Sequence, residues 1–259
     1  MGRTPVTESS ELYHEWIAGE AVDGHARPVL VFLHEGLGSV SMWKDFPRRL
    51  CAATGCPGLV YDRQGYGRSP ALTRRRTVHY LHDYALAELP AVLAALLPER
   101  DYVLFGHSDG GSIALLHAAE APARLRGIVT LAAHVMVEQV TLDGIAAAAA
   151  AWEAGKLAGL ARHHGDKTAA LFHAWADTWR SPGFAHWHIG YALPSIACPV
   201  LALQGRDDQY GTPAQLDAIE AGVRGARTVL LDDCGHAPHV DQPARVLELA
   251  GAFIAAASA

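Results

Sequence analysis

The run Val103-Leu104-Phe105-Gly106-His107-Ser108-Asp109-Gly110-Gly111-Ser112-Ile113-Ala114 is compatible with very few backbones. Apolar, β-type residues lead into a serine held between glycines, and small residues suited to a helix lead away from it. The pattern is G-x-S-x-G. In a strand-to-helix turn this tight, the serine takes a strained conformation and its hydroxyl projects into the open. A β-carbon at Gly106 or Gly110 would collide with the neighbouring strand or helix. The amide of Asp109 then points from a helix N-terminus toward any charge that develops beside Ser108. The three fixed positions carry little by themselves. The strand before them and the helix after them supply the setting that gives the pattern meaning. A glycine-rich turn in an ordinary α/β protein is the competing reading.

At 259 residues the chain is long enough for one large domain, or one domain with an insertion. Half of it, 50%, is hydrophobic, so a sizeable core can form. The net charge of −6 is spread along the chain, without the basic face that a nucleic-acid partner requires. The one basic run, Arg74-Arg75-Arg76, follows Pro70 in a polar stretch and is expected to be a solvated loop. Residues 1–8 contain no apolar stretch, which argues against a signal peptide, and no window approaches a membrane span. Cys51, Cys56, Cys198 and Cys234 show no metal-type spacing, so a reducing, cytoplasmic setting without disulfides is expected. The 15 histidines raise the question of a metal. His163-His164 and His186-Trp187-His188 lack helical i, i+4 pairing and carboxylate companions, so neither a metal nor a cofactor is expected.

Short apolar strands alternate with helices. Strands are expected at 28–33, 58–61, 102–105, 125–133, 199–203 and 227–231. Helices are expected at 41–51, 79–97 (kinked or broken near Pro90), 111–120, 213–222 and 243–257. This order implies an α/β fold with a mostly parallel, doubly wound sheet covered on both faces, binding ligand at the carboxyl ends of its strands. Residues 135–197 break the alternation. They show no convincing strand, only helix formers and aromatics including Trp152, Phe172, Trp175, Trp179, Phe184, Trp187 and Tyr191. We read 1–134 and 198–259 as the core domain and 135–197 as a helical lid over an apolar pocket.

A serine hydroxyl needs a base, and the base needs an orienting acid. With a strand–turn–helix serine these follow in the order Ser, Asp or Glu, His. His236 stands in a glycine turn after the strand 227–231, with His239 as a rival base expected to support the loop. Asp207 and Asp208 follow the strand 199–203, and either can face His236. A second oxyanion donor is expected from His34-Glu35-Gly36-Leu37-Gly38-Ser39, at the amide of Gly36 or Leu37, joining that of Asp109. Phosphate binding by this loop is disfavoured, because no Lys-Ser/Thr pair follows it.

At this point the chain resembles the α/β-hydrolase superfamily over nearly its whole length. The matching marks are the His34–Ser39 loop, Tyr61-Asp62-Arg63-Gln64-Gly65-Tyr66-Gly67-Arg68-Ser69, the serine turn, Gly205-Arg206-Asp207-Asp208 as G-x-x-D, and Gly235-His236 with Pro238. The resemblance implies that Asp208 is the acid and that 135–197 is a cap. Glu35 departs from the family, which usually has glycine there. It is expected either to brace the loop or to bind a polar or cationic substrate group. His134, Trp187 and Tyr210 are further candidates for substrate contact.

The expected activity is cleavage of a small to medium carboxylic ester, thioester or lactone through Ser108, His236 and Asp208. The alternatives are carbon–carbon cleavage of a ring-opened aromatic diketone and a non-catalytic small-molecule receptor. Chemistry that needs an aspartate nucleophile is disfavoured by Ser108. The expected partner is a small molecule, not nucleic acid or membrane, and homo-oligomerisation is left open.

Overall fold

In the computed structural model the structure describes residues 12–17 and 27–257. The expectation for residues 1–8 lies outside the described residues. A seven-stranded sheet runs in the order β1-β3-β2-β4-β5-β6-β7. The strands are β1 His14–Ile17, β2 Val29–Leu33, β3 Gly58–Tyr61, β4 Tyr102–His107, β5 Leu125–Leu131, β6 Val200–Gly205 and β7 Arg227–Leu231. All neighbours pair in parallel except β1, which lies antiparallel on β3 at the edge.

The helices are α1 Phe46–Thr54, α2 Tyr80–Asp83, α3 Leu89–Leu96, α4 Asp109–Ala119, α5 Gln139–Glu153, α6 Ala161–His164, α7 Thr168–Trp179, α8 Ala214–Gly222, α9 Pro238–Asp241 and α10 Pro243–Ala257. Every residue of β2 is fully buried, which is why it reads as an unbroken apolar run. Val29, Val31 and Leu33 face a core formed with α2, α3, α4 and α8, among them Leu89, Val92, Ile113 and Leu216. Leu30 and Phe32 face the opposite core with Phe46, Leu50, Phe105, Val246 and Ile254, formed with α1 and α10. Truncating a side chain as enclosed as Phe32 to alanine costs about 3–5 kcal/mol.

The differences from the sequence reading are local. The helix expected over 41–51 is broken: a 3₁₀ turn Val40–Trp43 ends at Lys44, whose φ is 53°, before α1 begins. Pro47 sits in the first turn of α1, where its missing N–H costs nothing, so the chain restarts a helix there. The interruption expected near Pro90 is present and takes the form of a π-turn, Tyr84–Glu88, between α2 and α3. Pro90 supplies no N–H to the preceding turn, and the wider turn absorbs that loss. Strand β1 (His-Glu-Trp-Ile) and helix α9 (Pro-His-Val-Asp) are short and mix polar with apolar residues, and so carry no sequence signal.

Between β5 and β6 the chain forms α5, α6 and α7, with one isolated bridge between Met136 and His188. The base of this segment is tied to the core by side chains. Gln215 Oε1 accepts from the Val135 amide at 2.8 Å, while Glu138 caps α5 and accepts from the Thr212 amide at 2.9 Å. Lys167 Nζ donates to the carbonyls of Gly67 and Ser69 at 2.7 and 2.5 Å.

Candidate active site

The turn between β4 and α4 has the strain its sequence implies. Ser108 sits at φ 52°, ψ −118°, a conformation that L-residues avoid. It is enforced by close packing: a β-carbon on Gly106 would lie 2.2 Å from the carbonyl oxygen of Gly110, and one on Gly110 would lie 2.0 Å from that of Leu33. The Ser108 amide is held by the Leu131 carbonyl at 2.8 Å. The hydroxyl is left free to meet a partner from elsewhere in the chain.

That partner is His236. Its Nε2 lies 2.9 Å from Ser108 Oγ, and its Nδ1 lies 2.8 Å from Asp208 Oδ1. Asp208 follows β6, and its Oδ1 also accepts the Tyr210 amide at 2.8 Å, while Gln204 Nε2 reaches its other oxygen at 3.3 Å. Burial alone would raise the pKa of Asp208, but the hydrogen bond and charge of His236 and the Tyr210 amide bring it below the usual carboxylate value. Since Asp208 accepts at Nδ1, the His236 tautomer offers a lone pair at Nε2 to the serine proton. Asp207 is exposed, and only its amide is engaged, on the Cys234 carbonyl. Arg206 pairs instead with Asp232 at 2.5 Å.

The amide of Asp109 is the first of α4 and has no intrahelical acceptor. Its carboxylate turns away, accepting from Tyr80 Oη at 2.7 Å, and that hydroxyl in turn accepts from Trp179 Nε1 at 2.7 Å. Gly36 and Leu37 line the same cavity as Ser108. Arg63, fully buried, holds this loop through its side chain: Nη1 donates to the His34 carbonyl at 2.5 Å and Nη2 to the Glu35 carbonyl at 2.8 Å. His164, from α6, accepts the Gly67 amide at Nδ1 (2.9 Å), so its Nε2 donates to the Leu37 carbonyl at 2.9 Å.

The cavity above Ser108 measures about 380 Å³. Its wall includes Leu37, Ile145, Trp175, Trp179 and Tyr210, and no lysine or arginine. Glu35, His134 and Tyr210 all reach it. Glu35 Oε2 bonds to His107 Nδ1 at 2.9 Å. His134 Nε2 donates to the Tyr210 carbonyl at 3.0 Å, and burial and the nearby His236 lower its pKa, so it is neutral. The Tyr210 ring packs edge-on against that of His236.

Trp187 does not line the cavity. It stacks on Phe184, with ring centroids 5.3 Å apart, and is 8% exposed. An aromatic in a helical segment can face either the core or the pocket, and composition does not tell which. The basic run also divides: Arg74 pairs with Asp83 at the surface, whereas Arg76 is drawn in to Tyr66 Oη at 2.6 Å, over three tyrosine rings.

Arg63 and His164 were missed as loop-holding residues. The motif around Arg63 does not announce this contact, and the His163-His164 pair raises the question of a metal rather than of a loop support. Among the described residues no group of three or more His, Cys, Asp or Glu is placed to hold a metal, and no helix is long and apolar enough to cross a membrane. All four cysteines are free thiols.

Comparison with known proteins agrees with the architecture. A pimeloyl-[acyl-carrier protein] methyl ester esterase of Aeromonas salmonicida is 25% identical over 253 residues, covering 88% of this chain and 95% of that protein. A thermophilic esterase of Thermogutta terrifontis has the same fold, with a TM-score of 0.71 at 21% identity, over 96% of this chain and 94% of that one. An enol-lactonase of Burkholderia xenovorans LB400 superposes with a TM-score of 0.69 at 20% identity, over 94% and 96% of the two chains. The family model described as the alpha/beta hydrolase family matches residues 30–249, from β2 into the first half of α10. With the sheet order, the serine turn and that match in agreement, the chain belongs to the alpha/beta hydrolase family.

Proposed function

We propose that this protein is a carboxylic ester hydrolase working through an acyl-enzyme on Ser108. The observation that carries this reading is the unbroken hydrogen-bond line from Asp208 through His236 to Ser108, at 2.8 and 2.9 Å, opening on the cavity. Ser108 Oγ bonds to the acyl carbon as its proton passes to His236 Nε2. The carbonyl oxygen takes up the negative charge between the amides of Asp109 and Gly36 or Leu37. His236 then gives its proton to the departing alkoxide as the carbon–oxygen bond breaks. Water, deprotonated by the same imidazole, releases the acid and restores the serine. Asp208 holds the tautomer and balances the imidazolium while it exists.

The segment 135–197 acts as the lid, since Ile145, Trp175 and Trp179 supply apolar wall. A cavity of about 380 Å³ suits a small to medium ester, thioester or lactone with an apolar acyl or aromatic part. The ester and lactone substrates in the names of two of the similar proteins support the same class. A diketone carrying a carboxylate would need a cation in the wall, and the lining provides carboxylates instead, at Glu35 and Asp241. The test is a turnover panel of p-nitrophenyl esters of graded chain length, with lactones and a ring-opened diketone. Turnover of short and medium esters, abolished by Ser108→Ala, is expected. Turnover of the diketone alone, or of nothing, would overturn the reading.

A further inference from the structure

Glu35 occupies the oxyanion loop at a position where related patterns have glycine. Its Oε2 lies 2.9 Å from His107 Nδ1, and Nε2 of the same ring lies 2.7 Å from the backbone carbonyl oxygen of His236. The His107 side chain is only 2% exposed. A carbonyl can only accept, so Nε2 carries a hydrogen. One proton remains to be placed between Nδ1 and the carboxylate. Imidazole binds a proton about two pKa units more tightly than a glutamate carboxylate, so that proton belongs to the ring. His107 is then an imidazolium that donates from both nitrogens.

The surroundings agree with that state. Burial works against charge on both partners. The hydrogen bond and charge of His107, helped by His239 and His236, nevertheless bring Glu35 down to about 2. Glu35, the His236 carbonyl and the charge of Asp208 raise His107 above its ordinary value. His239 packs on the His107 ring at 4.8 Å. Burial and the charge of His107 push it down to about 3, against the pull of Glu35 and with smaller effects of His236 and Lys44, so it adds no competing charge.

Three parts of the site therefore meet on one ring. The oxyanion loop arrives through Glu35, the end of β4 through His107 itself, and the loop bearing the candidate base through the His236 carbonyl. We propose that Glu35 is a positioning residue: by keeping His107 doubly protonated it tethers the His236 loop and aligns that imidazole on Ser108. The proposal rests on the hydrolase reading above and deepens it. It gives the substitution at position 35 a structural consequence that neither a bare loop brace nor a substrate contact would have.

The experiment combines 15N-resolved histidine NMR at pH 8 with steady-state kinetics on a p-nitrophenyl ester, for wild type, Glu35→Gln and Glu35→Ala. Glutamine keeps the length and can donate to a neutral Nδ1, but it carries no charge to hold the second proton. Both His107 nitrogens should be protonated in the wild type and only one in Glu35→Gln. In that variant kcat should fall by about tenfold or more, with KM changed by less than about twofold, as expected for lost alignment. Glu35→Ala should be at least as slow. If it does not fold, Glu35→Gln decides alone. A singly protonated His107 in the wild type, an unchanged kcat in Glu35→Gln, or a rise in KM alone would overturn the proposal. Fluorophosphonate labelling of the wild type separates the two readings: absence of labelling defeats the hydrolase assignment, while the His107 spectrum still reports the charge state by itself.

Discussion

Arg63 Nη2 donates to the carbonyl oxygen of Glu35 at 2.8 Å, and this contact orients the peptide that follows. In a trans peptide the carbonyl and the next amide point in opposite directions, and no peptide bond among the described residues is cis. A Glu35 carbonyl turned onto the guanidinium therefore turns the Gly36 amide away from Arg63, and Gly36 itself lines the cavity. Lysine in place of Arg63 has no planar fork to fix the carbonyls of His34 and Glu35 in their present orientation. We expect Arg63→Lys to lower kcat by about 10²-fold, the scale of one lost oxyanion donor. Kinetics on a p-nitrophenyl ester check this, with a thermal melt to confirm folding. A kcat within twofold of wild type would contradict the clamp.

Asp208 accepts from His236 Nδ1 at 2.8 Å. Asparagine at this position keeps the shape but can present an N–H, which favours the wrong imidazole tautomer. Asp208→Asn should lower kcat by about 10³–10⁴-fold, while Asp207→Asn, at an exposed position, should change it little. Parallel kinetics on the two variants decide between the neighbouring aspartates.

Gly106→Ala tests the turn itself. A β-carbon there would lie 2.2 Å from the Gly110 carbonyl oxygen, which is backbone and cannot swing aside. The expected loss is about 3 kcal/mol or more of folding stability, or failure to accumulate folded protein. Urea unfolding measures it. A loss under 1 kcal/mol would mean that the turn is less constrained than its geometry requires.

Acid should expose the Glu35 pair. Glu35 titrates at about 2 in the folded protein against an ordinary 4.5. Between those values the unfolded chain binds more protons than the folded one, so stability rises with pH across that window and is withdrawn as pH falls through it. Glu35→Gln should flatten this part of the stability profile between pH 4.5 and 2. Denaturant midpoints across that range, wild type against variant, give the answer.

Most of the architecture could be read from strand-length apolar runs, because parallel strands buried on both faces leave little ambiguity. What escaped was local and physical. His14–Ile17 reads His-Glu-Trp-Ile, without the apolar run that marks the buried strands. The break at Lys44, and the π-turn form of the interruption expected near Pro90, depend on how a proline is accommodated, which a helical spacing does not reveal. At the site, chain order suggested Ser108, His236 and an aspartate after β6, and the structure puts Ser108, His236 and Asp208 within hydrogen-bond reach. The contacts of Glu35 with His107 and of His164 with Leu37 join segments distant in sequence, and the composition of neither segment announces its partner. Trp187 shows the reverse failure, a residue of suitable chemistry that folding turns into the core.

In the proposed hydrolase the Ser108 oxygen is made nucleophilic by the His236 imidazole, which lies 2.9 Å away. The most direct measurement is reaction with a fluorophosphonate probe, followed by peptide mass spectrometry. The expected result is one phosphonylated residue, Ser108, with labelling abolished in Ser108→Ala and strongly slowed in a His236→Ala variant. No adduct on folded wild-type protein, or equally rapid labelling without His236, would contradict the proposal.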